Sequence, residues 1–203
     1  LFGFNRNNLG GDPLEVMPFT VTANATTNIM IVRAAGTNNV NFKYVVFRGE
    51  IAINEYTSGN STIVGQANSA GAMAVGAVLY SNTPAFGVSP PTVASFSSIG
   101  GTPVNGVVRN KPEFCAPNGV NTTVELGGSN IDGDLFPNFF GTFAAAPHAG
   151  AGAALLMSAK KKFYNQTISP AAMRSLLSST AIDMNSPGFD FSTGYGFVDA
   201  GAA

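Results

Sequence analysis

The sequence predicts an α/β fold, in which part of a parallel sheet packs against helices and is preceded by a small antiparallel, β-sandwich-like unit. Three observations support this prediction. Residues 14–56 contain short runs rich in β-branched and aromatic side chains, residues 72–78 form a short apolar run, and two helical patterns follow from residue 142. A buried strand that alternates with helices is typical of α/β proteins, whose crossovers are right-handed. We therefore divide the chain into residues 1–60 and 61–203.

The first part of the chain predicts four strands separated by Asn, Thr or Gly turns. They are residues 16–22, 28–34, 41–48 and 51–56. Phe42, Tyr44 and Val46 alternate with polar or smaller residues, a pattern that fits a sheet with one covered face. Residues 1–60 are therefore predicted to be an antiparallel unit, part of a β-sandwich.

The second part contains a buried strand and two helices. The apolar run at residues 72–78 is typical of a strand buried in a parallel sheet. From Thr142 to about Lys160, Ala, Leu and Met occupy every face, which predicts a helix buried all round. Ser169 and Pro170 then open a second helix as N-cap and first helical residue, and this helix is expected to end near Ile182.

Composition favours a globular chain that binds no nucleic acid. The 203 residues are 45% hydrophobic and only 10% charged, with a formal net charge of −1, whereas an average domain is about 25% charged. The Lys and Arg residues are scattered, and only residues 160–162 form a run, which suits the solvated last turn of a helix. Weak charging suits a surface that is covered by other parts of a longer chain or by neighbouring copies.

Other sequence features set the expected compartment. No apolar stretch reaches the length of a transmembrane helix, and the first residues lack the pattern of a signal peptide, so we expect a truncated or processed start. The single Cys115 excludes an internal disulfide and is predicted to be a small buried hydrophobe. Glycosylation sequons occur at Asn24, Asn60, Asn121 and Asn165, which permit a glycoprotein without establishing one.

Residues 141–148 read Gly-Thr-Phe-Ala-Ala-Ala-Pro-His. This block resembles the one that carries the catalytic serine in subtilisin-like (S8) serine peptidases, Gly-Thr-Ser-x-Ala-x-Pro-His, and Phe143 stands where the nucleophile would be. Four further stretches resemble family segments in the same order: Ala-Val-Gly-Ala-Val (74–78), Ser-Phe-Ser-Ser-Ile-Gly (95–100), Lys-Pro-Glu-Phe-Cys-Ala-Pro-Asn-Gly (111–119) and Gly-Tyr-Gly-Phe-Val-Asp-Ala (194–200). The resemblance covers about residues 61–203, the C-terminal half of a subtilisin-like domain. Residues before it resemble the accessory β-domain of some bacterial members.

The resemblance implies that the catalytic apparatus is incomplete. Family members use Asp, His and Ser in that chain order, with an Asn in the oxyanion hole, and the only histidine here is His148. It follows Phe143 by five helical steps of about 100° each, which turn the two side chains about 140° apart. Thr142 has no base beside it and is interpreted as a turn residue. No catalytic residue is therefore predicted to be intact, and Gly141, Thr142, Pro147 and His148 are expected to be structural.

The acidic residues have simpler interpretations than catalysis. Asp132 and Asp134 are candidate Ca²⁺ ligands, but a calcium loop needs about six ligands and this glycine turn offers two. We therefore predict no metal site and no cofactor. Asp183, Asp190 and Asp199 lie in predicted turns, where Asp most often accepts hydrogen bonds from backbone amides.

Three functions remain open. The chain is a catalytically inactive subtilisin-like domain that acts as a structural or binding module of a secreted protein. Alternatively, it is the C-terminal portion of a longer serine endopeptidase whose serine is altered, or a subunit of an extracellular filament or sheath. In each case we expect a secreted or extracytoplasmic protein. The expected partner is the missing N-terminal half of the domain or another chain, including further copies.

Overall fold

A computed structural model describes residues 7, 10–33, 35–47, 51–57, 59–124 and 130–203. The chain divides into two units, Leu1–Tyr44 and Val45–Ala203. All buried apolar residues within the described ranges belong to the second unit. No helix in these ranges combines the length and the apolar character that crossing a bilayer requires.

The regular elements lie between residues 65 and 179. In chain order the strands are β1 Val75–Leu79, β2 Pro103–Val104, β3 Val107–Val108, β4 Phe114–Asn118, β5 Val120–Asn121 and β6 Asn138–Phe139, and the helices are α1 Thr142–Tyr164 and α2 Pro170–Ser179. Short 3-10 turns occupy Gly65–Asn68, Tyr80–Asn82 and Pro84–Phe86.

The four strands predicted before residue 60 are not found. Within residues 10–33, 35–47 and 51–57 the structure assigns no helix or strand, and Ala34 and Arg48, where two of the predicted strands end, lie outside the described residues. Most of the apolar side chains there are exposed: Ile29, Met30, Ile31, Val32, Val40, Phe42 and Phe47. A strand is stabilised by pairing and by a covered face, and the described residues of this range show neither. The boundary at residue 60 stays a prediction.

The predicted buried strand is confirmed as β1. It pairs in parallel with β4, so that Val75 lies opposite Phe114 and Leu79 opposite Asn118. A bridge between Val78 and Val93 extends this pair on one side, and a parallel bridge between Cys115 and Phe197 extends it on the other. The second unit is thus α/β, with a parallel pair of strands at its centre.

The two faces of the parallel pair carry separate clusters of apolar side chains, because successive side chains of a strand point to opposite faces. On one face, Ala77, Phe114 and Ala116 pack with side chains of both helices. These helix residues are Ala145, Ala149, Met173 and Leu177. On the other face, Val78 and Cys115 pack with Met184 and Phe197. Both faces of β1 and β4 are therefore covered.

Helix α1 begins at the predicted residue and runs four residues beyond Lys160. Its last turn is closed by Asn165, whose left-handed backbone (φ 51°) lets its amide donate to the carbonyls of Lys160 and Lys161. The prediction that this helix is buried all round is wrong for the described structure: only Ala144, Ala145 and Ala149 are buried. On its other faces several large apolar side chains are exposed: Phe143, Leu155, Met157 and Phe163.

Helix α2 follows the predicted capping pattern. The hydroxyl of Ser169 accepts a hydrogen bond from the amide of Ala172 at 3.2 Å, and Pro170 is the first helical residue. The helix ends at Ser179, three residues before the predicted end at Ile182. Met173 and Leu177, four residues apart, form its buried face.

Two short hairpins complete the second unit. Strands β2 and β3 are joined by Asn105 and Gly106, both with positive φ, the Asn-Gly pair that a tight two-residue hairpin favours. Strands β5 and β6 also pair antiparallel. Strand β6 ends two residues before Gly141, so this hairpin leads the chain into the first turn of α1.

Candidate functional site

The N-terminus of α1 is built around Gly141. Its φ of 122° and ψ of 165° lie in a region that favours glycine. A β-carbon at this position would lie 2.5 Å from the ring of Phe143. The ring therefore folds back over the Gly141 backbone, and the turn accepts it only because Gly141 has no side chain.

Phe143 is at the surface and borders a cavity. Its side chain is 66% exposed, and its ring meets the ring of Phe139 edge to face, with 5.3 Å between centroids. Together with Ile63, Ala74 and Phe96 it lines a surface cavity of about 610 Å³. The ring offers neither a nucleophilic atom nor a proton to transfer.

Asn118 forms a hydrogen bond to the turn at Gly141 and was not identified from the sequence. It is the last residue of β4 and is 1% exposed. Its Oδ1 accepts a hydrogen bond from the Gly141 amide at 3.4 Å. Its Nδ2 is buried and has no hydrogen-bond partner in the described part of the chain. The available signal was an amide residue at the end of a strand that is otherwise buried and apolar.

His148 and Pro147 lie on the same helix as Phe143, and both affect the backbone hydrogen bonds of that helix. The Nδ1 of His148 donates to the carbonyl of Ala144 at 2.7 Å, and the imidazole is half-buried. Pro147 lacks an N–H, so the carbonyl of Phe143 loses its usual α-helical donor. Gly141 and Phe143 thus lie together in the first turn of α1, whereas the imidazole of His148 bonds to the Ala144 carbonyl.

Thr142 lines the same cavity as Phe143. Within the described residues its hydroxyl makes no hydrogen bond to an acid or a base. A hydroxyl becomes a strong nucleophile only when a base takes its proton. Thr142 therefore has no activating group within the described part of the chain.

The two candidate Ca²⁺ ligands belong to a hydrogen-bonded turn. The Oδ2 of Asp132 accepts from Tyr80 Oη at 3.1 Å and from Asn138 Nδ2 at 3.2 Å. The hydrogen bond from Asn138 is the main cause that lowers the pKa of Asp132 below its usual value. Asp134 accepts a hydrogen bond from the side chain of Asn121. Across residues 59–124 and 130–203, as in the rest of the described chain, no three His, Cys, Asp or Glu side chains come together as a metal site would require.

A buried ionic network lies at the start of β4 and was also missed from the sequence. Lys111 is 2% exposed, and its Nζ lies 2.6 Å from Glu113 Oε1. The Nε of Arg174 lies 3.5 Å from the same oxygen. Glu113 Oε2 accepts from the Ala74 amide at 2.6 Å. The network thus joins α2 and the segment before β1 to β4.

Cys115 is buried, as the sequence predicted, in the apolar cluster that it forms with Val78, Met184 and Phe197. Its Sγ lies 3.6 Å from the carbonyl of Thr193. Burial, with a smaller contribution from the charge of Asp190, raises the pKa of the thiol to about 12. The thiol is therefore protonated at neutral pH and is a poor nucleophile.

Comparisons with known proteins identify the family of this chain. The sequence model of the subtilase family, Peptidase S8, matches residues 7–196. The subtilisin-like protease SBT2.1 of Arabidopsis thaliana is 31% identical over 173 residues, which cover 72% of this chain and 20% of that protein. The chain thus spans about a fifth of the length of this curated relative.

Among solved structures, the chain is similar to fervidolysin from Fervidobacterium pennivorans, described as a keratinolytic enzyme related to subtilisin. The identity is 29% with a TM-score of 0.43, and the match covers 68% of this chain and 19% of that one. It is also similar to a lanthipeptide protease, at 24% identity and a TM-score of 0.47 over 64% of this chain and 41% of that one. The family assignment rests on the sequence model, which matches nearly the whole length: the chain belongs to the subtilase family.

Proposed function

We propose that this chain supplies the C-terminal part of a subtilisin-like domain and is catalytically silent as it stands, acting as a structural or binding module of a secreted protein. The observation that carries the proposal is the phenyl ring of Phe143 at the first turn of α1. In the family motif that residues 141–148 resemble, this position holds the attacking serine. A carbon ring there has no oxygen with which to form an acyl-enzyme.

The position of His148 supports the proposal. Its Nδ1 donates to the carbonyl of Ala144, and the helical geometry turns it away from Phe143. A serine at position 143 would therefore find no base in the described part of this chain. The other triad members would have to come from a preceding segment or from a partner chain.

The outer face of α1 supports a missing part of the domain. Phe143, Ala146, Gly150, Ala154 and Met157 follow one another at three- and four-residue steps along this face, and all are exposed. A helix face without charges is unusual at a solvent boundary. We propose that the N-terminal half of the domain, or a partner chain that replaces it, covers this face.

We also propose that the protein is extracytoplasmic. The four sequon asparagines are exposed, so each is open to solvent for a glycan. The amide of Asn121 donates to Asp134, so a glycan there would break that hydrogen bond. On this ground Asn121 is a poorer acceptor than Asn24.

A second candidate is the C-terminal portion of a longer serine endopeptidase whose nucleophile is altered. It is favoured by the coverage of the plant relative, of which the chain matches only 20%. The two candidates differ in whether the remainder of the polypeptide still carries the Asp, the His and the oxyanion Asn.

The experiment that separates them restores the nucleophile. Phe143→Ser is introduced into the native polypeptide and treated with a fluorophosphonate that labels activated serines, with Phe143→Ala as the matched control. A silent module leaves both variants unlabelled. Stoichiometric labelling of Phe143→Ser alone would contradict the silent module and establish the altered endopeptidase.

A further inference from the structure

We propose that the cavity beside the buried ionic network binds a small oxyanion, a carboxylate or a phosphate. This surface cavity has a volume of about 280 Å³ and lies in the second unit. Its charged lining residues are Arg109, Lys111, Arg174 and Glu113. Three cations face one carboxylate, so two positive charges remain in excess at the cavity wall. The inference does not depend on Phe143 or on the proposed function.

The single carboxylate is already shared by two of the cations. Glu113 Oε1 lies 2.6 Å from Lys111 Nζ and 3.5 Å from Arg174 Nε, while Glu113 Oε2 is occupied by the Ala74 amide. Within the described chain Arg109 forms no ion pair with Glu113, whose ion-pair partners are Lys111 and Arg174. Lys111 is almost fully buried and forms the close pair with Glu113, so the two positive charges in excess are those of the half-buried Arg109 and Arg174.

Neutral oxygens satisfy the cations only in part. Arg109 Nη1 donates to the carbonyl of Asn68, Lys111 Nζ donates to the carbonyl of Ala72, and Arg174 Nη2 donates to the carbonyls of Ala70 and Ala72 at 3.0 and 2.8 Å. These carbonyls lie on alternate residues of one segment and carry no net charge. They orient the cations and leave the excess charge in place.

Several donors remain for a ligand. Within the described residues, the Nη2 and Nε of Arg109 and the Nη1 of Arg174 make no hydrogen bond to protein, whereas the buried Nε of Arg174 faces Glu113 Oε1 at 3.5 Å. A guanidinium presents its N–H groups as a planar fork that matches a carboxylate or a phosphate in two parallel bonds. Arg109 and Arg174 are both only half-buried, so their free donors can meet a ligand that enters from solvent.

The test titrates the native polypeptide with inorganic phosphate at constant ionic strength, with chloride as the balancing anion. Binding is measured by titration calorimetry and by the rise of the unfolding midpoint. Arg109→Gln removes one free fork, and Lys162→Gln, an exposed lysine at the end of α1, is the matched control. We expect saturable binding that Arg109→Gln weakens at least tenfold and Lys162→Gln leaves unchanged.

Two further arms complete the design. In the first arm, acetate replaces phosphate in the same titration. The anion whose binding is weakened by Arg109→Gln shows whether the site takes a carboxylate or a phosphate. Arg174→Lys keeps the charge but removes the fork, and we expect it to weaken binding while far-UV circular dichroism shows a folded protein. Absence of saturable binding by both anions, or equal binding by the parent and Arg109→Gln, overturns the proposal.

Discussion

Single side chains decide the chemistry of this chain. The ring of Phe143 covers Gly141, and Asn118 holds the amide of Gly141 from the other side. The backbone of the first turn of α1 is thus held in place by its neighbours, while the side chain at its centre, Phe143, is a hydrocarbon ring. The architecture of this turn is therefore in place, while a nucleophile and a base to activate it are both absent from the described part of the chain.

Cys115 is expected to be inert in the folded protein. Because burial raises the pKa of its thiol to about 12, the reactive thiolate is rare at pH 8. We predict that Ellman's reagent leaves the native chain unmodified for hours at pH 8 and modifies one thiol at once in 6 M guanidinium chloride. Fast reaction in the folded state would show that the thiol is exposed or charged.

For single residues, the sequence predicts hydrogen bonds between near neighbours in the chain well. The carboxylates of Asp183, Asp190 and Asp199 accept hydrogen bonds from amides within five residues, as the turn composition predicted. The bond between Glu113 and the Ala74 amide spans 39 residues. A pairing over that distance leaves no pattern in a single sequence, and the buried network was therefore missed.

Among the elements, the clearest predictions were those with a strong local signature. Strand β1 is a short apolar run between turns, and α2 starts with a Ser-Pro cap. The strands expected before residue 60 have the same β-branched composition, but composition measures only how well a residue fits a covered sheet. Pairing depends on a neighbour, and the described residues there show none.

The ion pair of Lys111 and Glu113 lies at the start of β4, and each partner also bonds the segment before β1, Lys111 at the Ala72 carbonyl and Glu113 at the Ala74 amide. Removing Lys111 leaves the buried Glu113 carboxylate with only the longer ion-pair contact to Arg174 Nε at 3.5 Å, so Lys111→Met should lower the free energy of unfolding by about 3 kcal/mol. The double variant Lys111→Met, Glu113→Gln removes both charges and keeps an acceptor for the Ala74 amide. It should lose clearly less than the single variant.

Denaturant titration of the native polypeptide measures these differences. Lys162→Met is the matched control, since Lys162 is exposed, and it should change the free energy of unfolding by less than about 0.5 kcal/mol. A single variant as stable as the parent, or a double variant less stable than the single one, would argue against a pair that matters to the fold.

For the molecule as a whole, the exposure of α1 is informative, because the sequence predicts a helix buried on every face. Its composition is that of a helix with neighbours on every side, yet the described chain covers one face only. On our proposal that a further part of the domain covers α1, the sequence pattern records the environment of the complete protein, and the described residues supply part of that environment. This agrees with a chain that spans about a fifth of its plant relative.

Ala154 tests whether the outer face of α1 is covered. It is exposed in this structure, so Ala154→Glu should have little effect on the 203-residue chain alone. In the native polypeptide, a covering partner would be forced to bury the carboxylate, and we expect a loss of at least about 2 kcal/mol of unfolding free energy. Gln166→Glu, beyond the end of α1, is the control. Equal, small effects in both contexts would show that this face meets solvent.

We propose that the ring of Phe143 occupies the position from which a serine attacks in active relatives. The most direct test is the intact mass of the native polypeptide after incubation with a fluorophosphonate, alongside an active serine protease as a positive control. We predict no mass increase under conditions that label the control completely. A stoichiometric increase would contradict the account, because some residue of the polypeptide would then be an activated nucleophile.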